Sequence, residues 1–93
     1  MRDADFEWDD AKAARNWRDH GVTFRSARAV FDDLCALDRP DDGQDETEDR
    51  FATIGMVEGR LLFVAYTMRA HRIRMISARL ADPFERQSYR NGN

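Results

Sequence analysis

The alternation of apolar and polar positions is clearest in the second half of the chain. Residues 61–68 form an apolar run rich in β-branched and aromatic side chains, the length of a buried strand and short for a helix. Arg72-Ile73-Arg74-Met75 then alternates strictly, the period of a half-buried strand. The short break between the two predicts an antiparallel hairpin. A turn at Arg69-Ala70 sets Met68 opposite His71, Tyr66 opposite Ile73 and Val64 opposite Met75 on one apolar face. Thr67 then faces Arg72, and Ala65 faces Arg74, on the other. Residues 50–57 read as a preceding strand, with Glu58-Gly59 as the turn and Val57 opposite Arg60. That register pairs Thr53 with Val64 and Ile54 with Phe63, and it adds Arg50 to the arginine-bearing face.

The first half carries helical signals. Residues 5–8 read as a short strand or extended entry. Asp9 is suited to an N-cap, Asp10 adds negative charge to the first turn, and Gly21 supplies the stop, predicting a helix over 10–20. Thr23 caps a second helix running to about Asp32, with Ala27, Val30 and Phe31 as its apolar stripe. Residues 34–37 read as a short strand, and the acidic stretch 39–49, with Pro40 and Gly43, as an exposed mobile loop. Asp82-Pro83-Phe84-Glu85 has the residues of a capping box with proline at N1, and starts a short helix reaching about Arg90. The tail 91–93 is expected to fray. The predicted class is α+β. Two N-terminal helices pack on the apolar face of a 3–4-stranded antiparallel sheet, and a short C-terminal helix runs along the edge of a partly open second face. Residues 1–93 are read as a single domain.

Composition narrows the function. The chain has 93 residues, enough for one core. It has no apolar run long enough to span a bilayer, and its acidic start is unlike a secretory leader, so a cytoplasmic protein is expected. The single cysteine, Cys35, excludes an internal disulfide framework. The net charge of −3 is unevenly spread: the first fifty residues carry 8 basic and 15 acidic side chains, the rest 7 and 3. All the basic residues except Lys12 are arginine, whose planar fork suits bidentate contact with phosphate or carboxylate. Arg72 and Arg74, neighbours on one strand face, repel each other unless an anion lies over them or carboxylates of the acidic half pair with them. The acidic residues 41–42 and 45–49 lack metal-ligand spacing and read as solvated loop. There is no phosphate-cradling glycine loop and no Ser/His/Asp constellation. No metal or cofactor is expected.

An ordered series of residues resembles the BrnT family of toxins from bacterial type II toxin–antitoxin pairs. It begins with Phe6-Glu7-Trp8-Asp9, Lys12, Asn16, His20-Gly21-Val22 and Phe24. It continues with Val30-Phe31-Asp32, Glu48, Arg50 and Thr53-Ile54-Gly55. It ends with Thr67, Arg72-Ile73-Arg74, Ile76-Ser77-Ala78-Arg79, Glu85-Arg86 and Tyr89. The resemblance implies a compact RelE-like ribonuclease fold and an endoribonuclease that blocks translation. It further implies neutralisation by a BrnA-like ribbon-helix-helix antitoxin in a heterotetramer, with DNA touched only through the antitoxin.

That chemistry suits a metal-independent reaction, because RNA carries its own nucleophile in the 2′-hydroxyl. The protein must position the strand, neutralise the phosphorane and move protons. Arg72, Arg74 and Arg79 are the candidates for charge neutralisation, with His20, Glu85 and Tyr89 for proton transfer. Trp8, Lys12, Arg50 and Thr67 are candidates for RNA contact. Strict alternation puts Arg79 on the face opposite Arg72 and Arg74, so a bulge, or its position at the strand end, is needed to bring it round. Glu85 also serves the helix cap. The alternative reading is a non-catalytic, degenerate module that binds antitoxin as a co-repressor, in keeping with a sequence pI of about 5.3.

Overall fold

A computed structural model describes residues 1–41 and 49–92. The elements are β1 (Phe6–Glu7), α1 (Asp10–His20), α2 (Phe24–Ala27), a 3-10 turn (Arg28–Asp32), β2 (Leu37–Pro40), β3 (Phe51–Val57), β4 (Arg60–Arg69), β5 (Arg72–Leu80) and α3 (Pro83–Asn91). The class is α+β, but the sheet is five-stranded and mixed where three or four antiparallel strands were expected. Its order is β1-β5-β4-β3-β2, with β1 parallel to β5 and the other pairs antiparallel.

Local chemistry sets the helix ends. The Asp9 carboxylate accepts from the Ala11 and Lys12 amides, and Gly21 closes α1 at φ 67°. Thr23 Oγ1 accepts from Ser26 N at 3.0 Å. The second helix is shorter than expected, tightening into the 3-10 turn after Ala27. Both bonds of the Asp82/Glu85 capping box are made at the start of α3.

Strand pairing follows the expected register for β3 and β4, including Val57 opposite Arg60, Thr53 opposite Val64 and Ile54 opposite Phe63. Two features differ. The β4–β5 turn sits at Ala70-His71, not Arg69-Ala70, so Tyr66 faces Met75, Thr67 faces Arg74 and Arg69 faces Arg72. The pairing is displaced by two residues, which leaves the side chains of Arg72 to Met75 on their expected faces. The second β-strand of the chain also lies later than expected: it is Leu37–Pro40, so Arg39 and Pro40 leave the expected loop. Residues 42–48 of that loop, with Glu48, and Asn93 of the tail lie outside the described residues.

The helices cover one face. Trp8, Val22, Phe24, Ala27, Val30, Val57, Leu62, Val64, Met75 and Ala78 make the main core between them and the sheet. Gly55 lies where the 3-10 turn crosses β3: a Cβ there would come within 2.7 Å of Val30 Cγ2. On the opposite face a smaller cluster, Ile54, Leu61 and Ala81 with Phe63 and Tyr89, is gathered around α3. Among the described residues no helix is long and apolar enough to cross a membrane.

Candidate functional site: an arginine-lined sheet face

One irregularity in β5 decides which arginines share a surface. Ser77 pairs with Ala65 and Met75 with Tyr66, so Ile76 is an extra residue on β5. An inserted residue reverses the alternation beyond it. Before the bulge Arg72 and Arg74 point away from the core; after it, so do Ser77 and Arg79. The bulge that strict alternation required for Arg79 is present. On this same face β4 contributes Phe63, Ala65 and Thr67, and β3 contributes Ala52 and Ile54. Arg50 precedes Phe51, which points to the core side with Tyr66, and so belongs to the arginine face.

Each arginine is held in a defined pose. Arg79 Nη1 and Nη2 donate to the two Glu85 oxygens at 2.8 and 2.9 Å. Its guanidinium also lies 4.2 Å from the centroid of Phe63. The bond to Glu85 raises the Arg79 pKa further. Arg74 Nη1 donates to Glu7 Oε2 at 2.8 Å, and the Glu7 side chain is only 5% exposed whereas that of Arg74 is 25% exposed. Arg72 Nε donates to the Asp3 carbonyl at 2.8 Å. Arg50 Nη2 stands 3.8 Å from Asp41 Oδ2. Thr67 is buried and its hydroxyl donates to the Asp49 carbonyl at 2.6 Å. The face has arginine at its margins, and between them Ala52, Ala65 and Thr67 are buried beneath the longer side chains and neighbouring backbone, with Ser77 half-buried. Such a surface can hold an anion by several charge-assisted bonds at once.

The other sequence candidates divide. Glu85 lies within the arginine face through its fork with Arg79. Tyr89, one turn further along α3, donates its hydroxyl to Asp33 Oδ2 at 2.8 Å. That bond, with burial, pushes its phenol up to about 12. Lys12 and His20 line a different cleft, between α1 and β5, with Arg15, Asn16, Asp19 and Ile76. Trp8 is buried against Phe24, their ring centroids 5.8 Å apart.

Two residues of this face escaped the sequence reading as site residues. Glu7 puts a buried carboxylate beside Arg74, and the alternation Phe6-Glu7-Trp8, aromatic on either side, was its available signal. Arg39 stands opposite Ala52 on the same face. Its signal was the alternation of Leu37 and Arg39, obscured by placing Arg39 in a loop.

A small α+β domain with guanidinium groups gathered over one sheet face is the frame of an anion-handling protein, and comparison gives the class: ribonuclease toxins of type II toxin–antitoxin systems. The chain belongs to the BrnT family of these toxins, whose family model matches residues 8–85. Membership implies a protein antitoxin as partner. No curated protein matches the chain.

Proposed function

We propose that the chain is a metal-independent endoribonuclease of RelE-like fold that cleaves RNA on the arginine face and thereby blocks translation. Residues 1–93 act as one toxin domain in the cytoplasm. In the reaction the 2′-hydroxyl oxygen attacks the adjacent phosphorus and the bond to the 5′-oxygen breaks. The 2′ proton passes to a base and the leaving oxygen gains one from an acid, giving a 2′,3′-cyclic phosphate and a 5′-hydroxyl. Arg79, Arg74 and Arg72 neutralise the phosphorane, with Arg50 and Thr67 beside them along the strand. Glu85 is the proton acceptor of this reading, because it is the candidate in contact with Arg79. His20 and Tyr89 stand outside the reacting group, one in another cleft and the other committed to Asp33. Lys12 and Trp8 are contacts for RNA only beyond this face.

The observation that carries this reading is the bulge at Ile76, which turns Arg79 onto the face of Arg72 and Arg74. The test is cleavage of RNA by the purified chain with and without chelator. Wild-type protein is expected to cut equally in both. Arg79→Gln is expected to lower the rate by at least a hundredfold, since removing one preorganised donor to a developing charge costs about that much. Activity that chelator abolishes, or an Arg79→Gln variant of wild-type rate, refutes it.

A second reading has its own support. Arg74 and Arg79 already hold carboxylates, Glu7 and Glu85. The same face therefore suits an acidic segment of a BrnA-like ribbon-helix-helix antitoxin, bound in a heterotetramer that meets DNA only through that partner. A chain that arrests no growth on induction and leaves RNA intact, yet binds antitoxin through Arg79, is the co-repressor of this alternative.

A further inference from the structure

We propose that Arg39 and Arg50 form a second phosphate-binding subsite on the arginine face, one that grips the RNA backbone away from the bond being cut. The inference rests on the cleavage reading above and adds to it a place for the flanking strand.

Three observations support it. First, Arg39 Nη2 and Arg50 Nε are buried and have no hydrogen-bond partner among the described residues. A buried N–H of a cation is costly to leave unpaired, so two such atoms on diagonal positions of one face call for an acceptor. Secondly, the two side chains are neighbours. Arg39 lies opposite Ala52 on the β2–β3 pair, and Arg50 is two residues before Ala52 on the same face. The ladder continues past the strand ends, with the Asp41 amide donating to the Arg50 carbonyl at 2.8 Å. Two guanidinium groups held this close repel each other, and a single anion accepting from both removes the repulsion and supplies the missing bonds together. Among the described residues the carboxylate paired with Arg50 is that of Asp41, 3.8 Å from Nη2, and Nε has no hydrogen-bond partner. Thirdly, the subsite is aligned with the reaction site. Arg50 just before β3, Thr67 on β4 and Arg74 on β5 succeed one another across the face, and Arg39, Ala52, Ala65 and Ser77 form the next row. From β2 to β5 is three strand spacings, on the order of 15 Å. A strand held at Arg79 can therefore reach Arg39 with a phosphodiester about two or three nucleotides away.

A phosphodiester can give one non-bridging oxygen to each fork, and a strand held at Arg79 supplies one at this distance. Arg39 and Arg50 would touch substrate, but not its reacting atoms.

The test uses the full chain and a labelled RNA oligonucleotide made non-cleavable by 2′-deoxy substitution at the cut site. Arg39→Gln is expected to weaken its binding roughly tenfold. The salt dependence of log K should also fall by about 0.7, the loss of one phosphate contact. The cleavage rate at saturating RNA should stay at the wild-type value, so KM rises while kcat holds. Arg39→Gln should also leave Tm unchanged or raise it, because it removes the buried Nη2 that has no hydrogen-bond partner among the described residues. Arg39→Lys should recover part of the affinity.

Binding and salt slope unchanged in Arg39→Gln, while the wild-type chain still cleaves, overturn the subsite and spare the cleavage reading. A fall in Tm without a change in binding likewise overturns it, since Arg39 is then an internal ion-pair partner. A wild-type chain that binds the oligonucleotide through Arg39 but cuts nothing upholds the subsite and removes the cleavage reading.

Discussion

At the scale of single residues, one carboxylate can fix the behaviour of a distant ring. Asp33 accepts from the Met56 amide at 2.8 Å, from the Cys35 amide at 2.9 Å and from the Tyr89 hydroxyl at 2.8 Å. These bonds favour its charged form and hold its pKa below the usual carboxylate range. The same charge resists ionisation of Tyr89, pushing that phenol up to about 12. Tyr66, the other tyrosine of the chain, is raised more strongly, by burial first and then by its bond to Asp38 at 2.6 Å. A raised phenol contributes stability that is present below the unfolded value of about 10 and is lost as pH climbs through the folded value. An absorbance titration of the folded protein should therefore show no tyrosinate near pH 10. The first should form close to 12, or on alkaline unfolding. Asp33→Asn should bring Tyr89 back toward its ordinary value, and a tyrosine that ionises near pH 10 in the wild-type fold contradicts the assignment. The depressed Asp33 carries the opposite sign: its contribution is present above the unfolded value of 3.8 and is lost as pH falls through the lower folded one.

At the scale of elements, the sheet has an edge that no strand completes among the described residues. β1 pairs with β5 only at Ile73 and Arg74. Further along, the Asn16 side chain takes the place of a neighbouring strand. Its Oδ1 accepts from the Ala78 amide at 3.0 Å, and its Nδ2 donates to the Ala78 carbonyl at 2.8 Å and to the Val22 carbonyl at 2.9 Å. One buried amide thus ties α1, the turn after it and β5. Asn16→Ala leaves three backbone groups unpaired, at about 1–3 kcal/mol for each that water cannot reach. The expected loss is about 3 kcal/mol or more, a fall in Tm on the order of 15 °C for a domain of this size. Asn16→Asp should fare no better, because a carboxylate cannot donate to either carbonyl. Thermal melts check both, and a shift of only a degree or two would show that α1 docks by its apolar contacts alone.

Legibility in the sequence divides along the same line. Asp9, Thr23, Gly21 and the Asp82/Glu85 pair act on amides within a turn of themselves, so their elements could be read from neighbours in the chain. The Glu58-Gly59 hairpin is local in the same sense, and its register followed. Three features depend on residues far apart in sequence and were not legible. The parallel seat of β1 on β5 joins residue 6 to residue 73. The register at Ala70-His71 is settled by packing of Tyr66 and Met75 rather than by the turn. The extra residue at Ile76 has no marker of its own, since Ile76 is as apolar as its neighbours. The candidate site depends on that third feature. The shared face of Arg50, Arg72 and Arg74 could be read from the alternation, but the bulge that brings Arg79 onto it could not.

Across the whole molecule, the uneven charge has two consequences that salt should separate. The acidic half meets the basic half where Glu7 pairs with Arg74, and it also pairs within itself, Asp3 with Arg28 and Asp41 with Arg50. Pairs with solvent access contribute about 0–1 kcal/mol each, because water screens them and long side chains must be ordered to make them. The cores on the two sheet faces remain when these pairs are screened. Raising salt from low to molar concentration should therefore move Tm by only a few degrees. RNA binding should behave differently. With a net charge of −3 the chain has little long-range pull on a polyanion, so its affinity must come from the few guanidinium groups of one face. If Arg72, Arg74 and Arg79 together neutralise the phosphate being cut and Arg39 with Arg50 a second one, log K should fall against log salt with a slope of about −1.4, and a tenfold rise in salt should cost roughly 25-fold in affinity. Titrations of the non-cleavable oligonucleotide over that range, with melts of the same samples, make the comparison in one experiment. A flat binding curve means the arginines are spent on Glu7 and Glu85 and hold no RNA. Loss of binding and of folding at the same salt means the ion pairs, not the cores, hold the arginine face in shape.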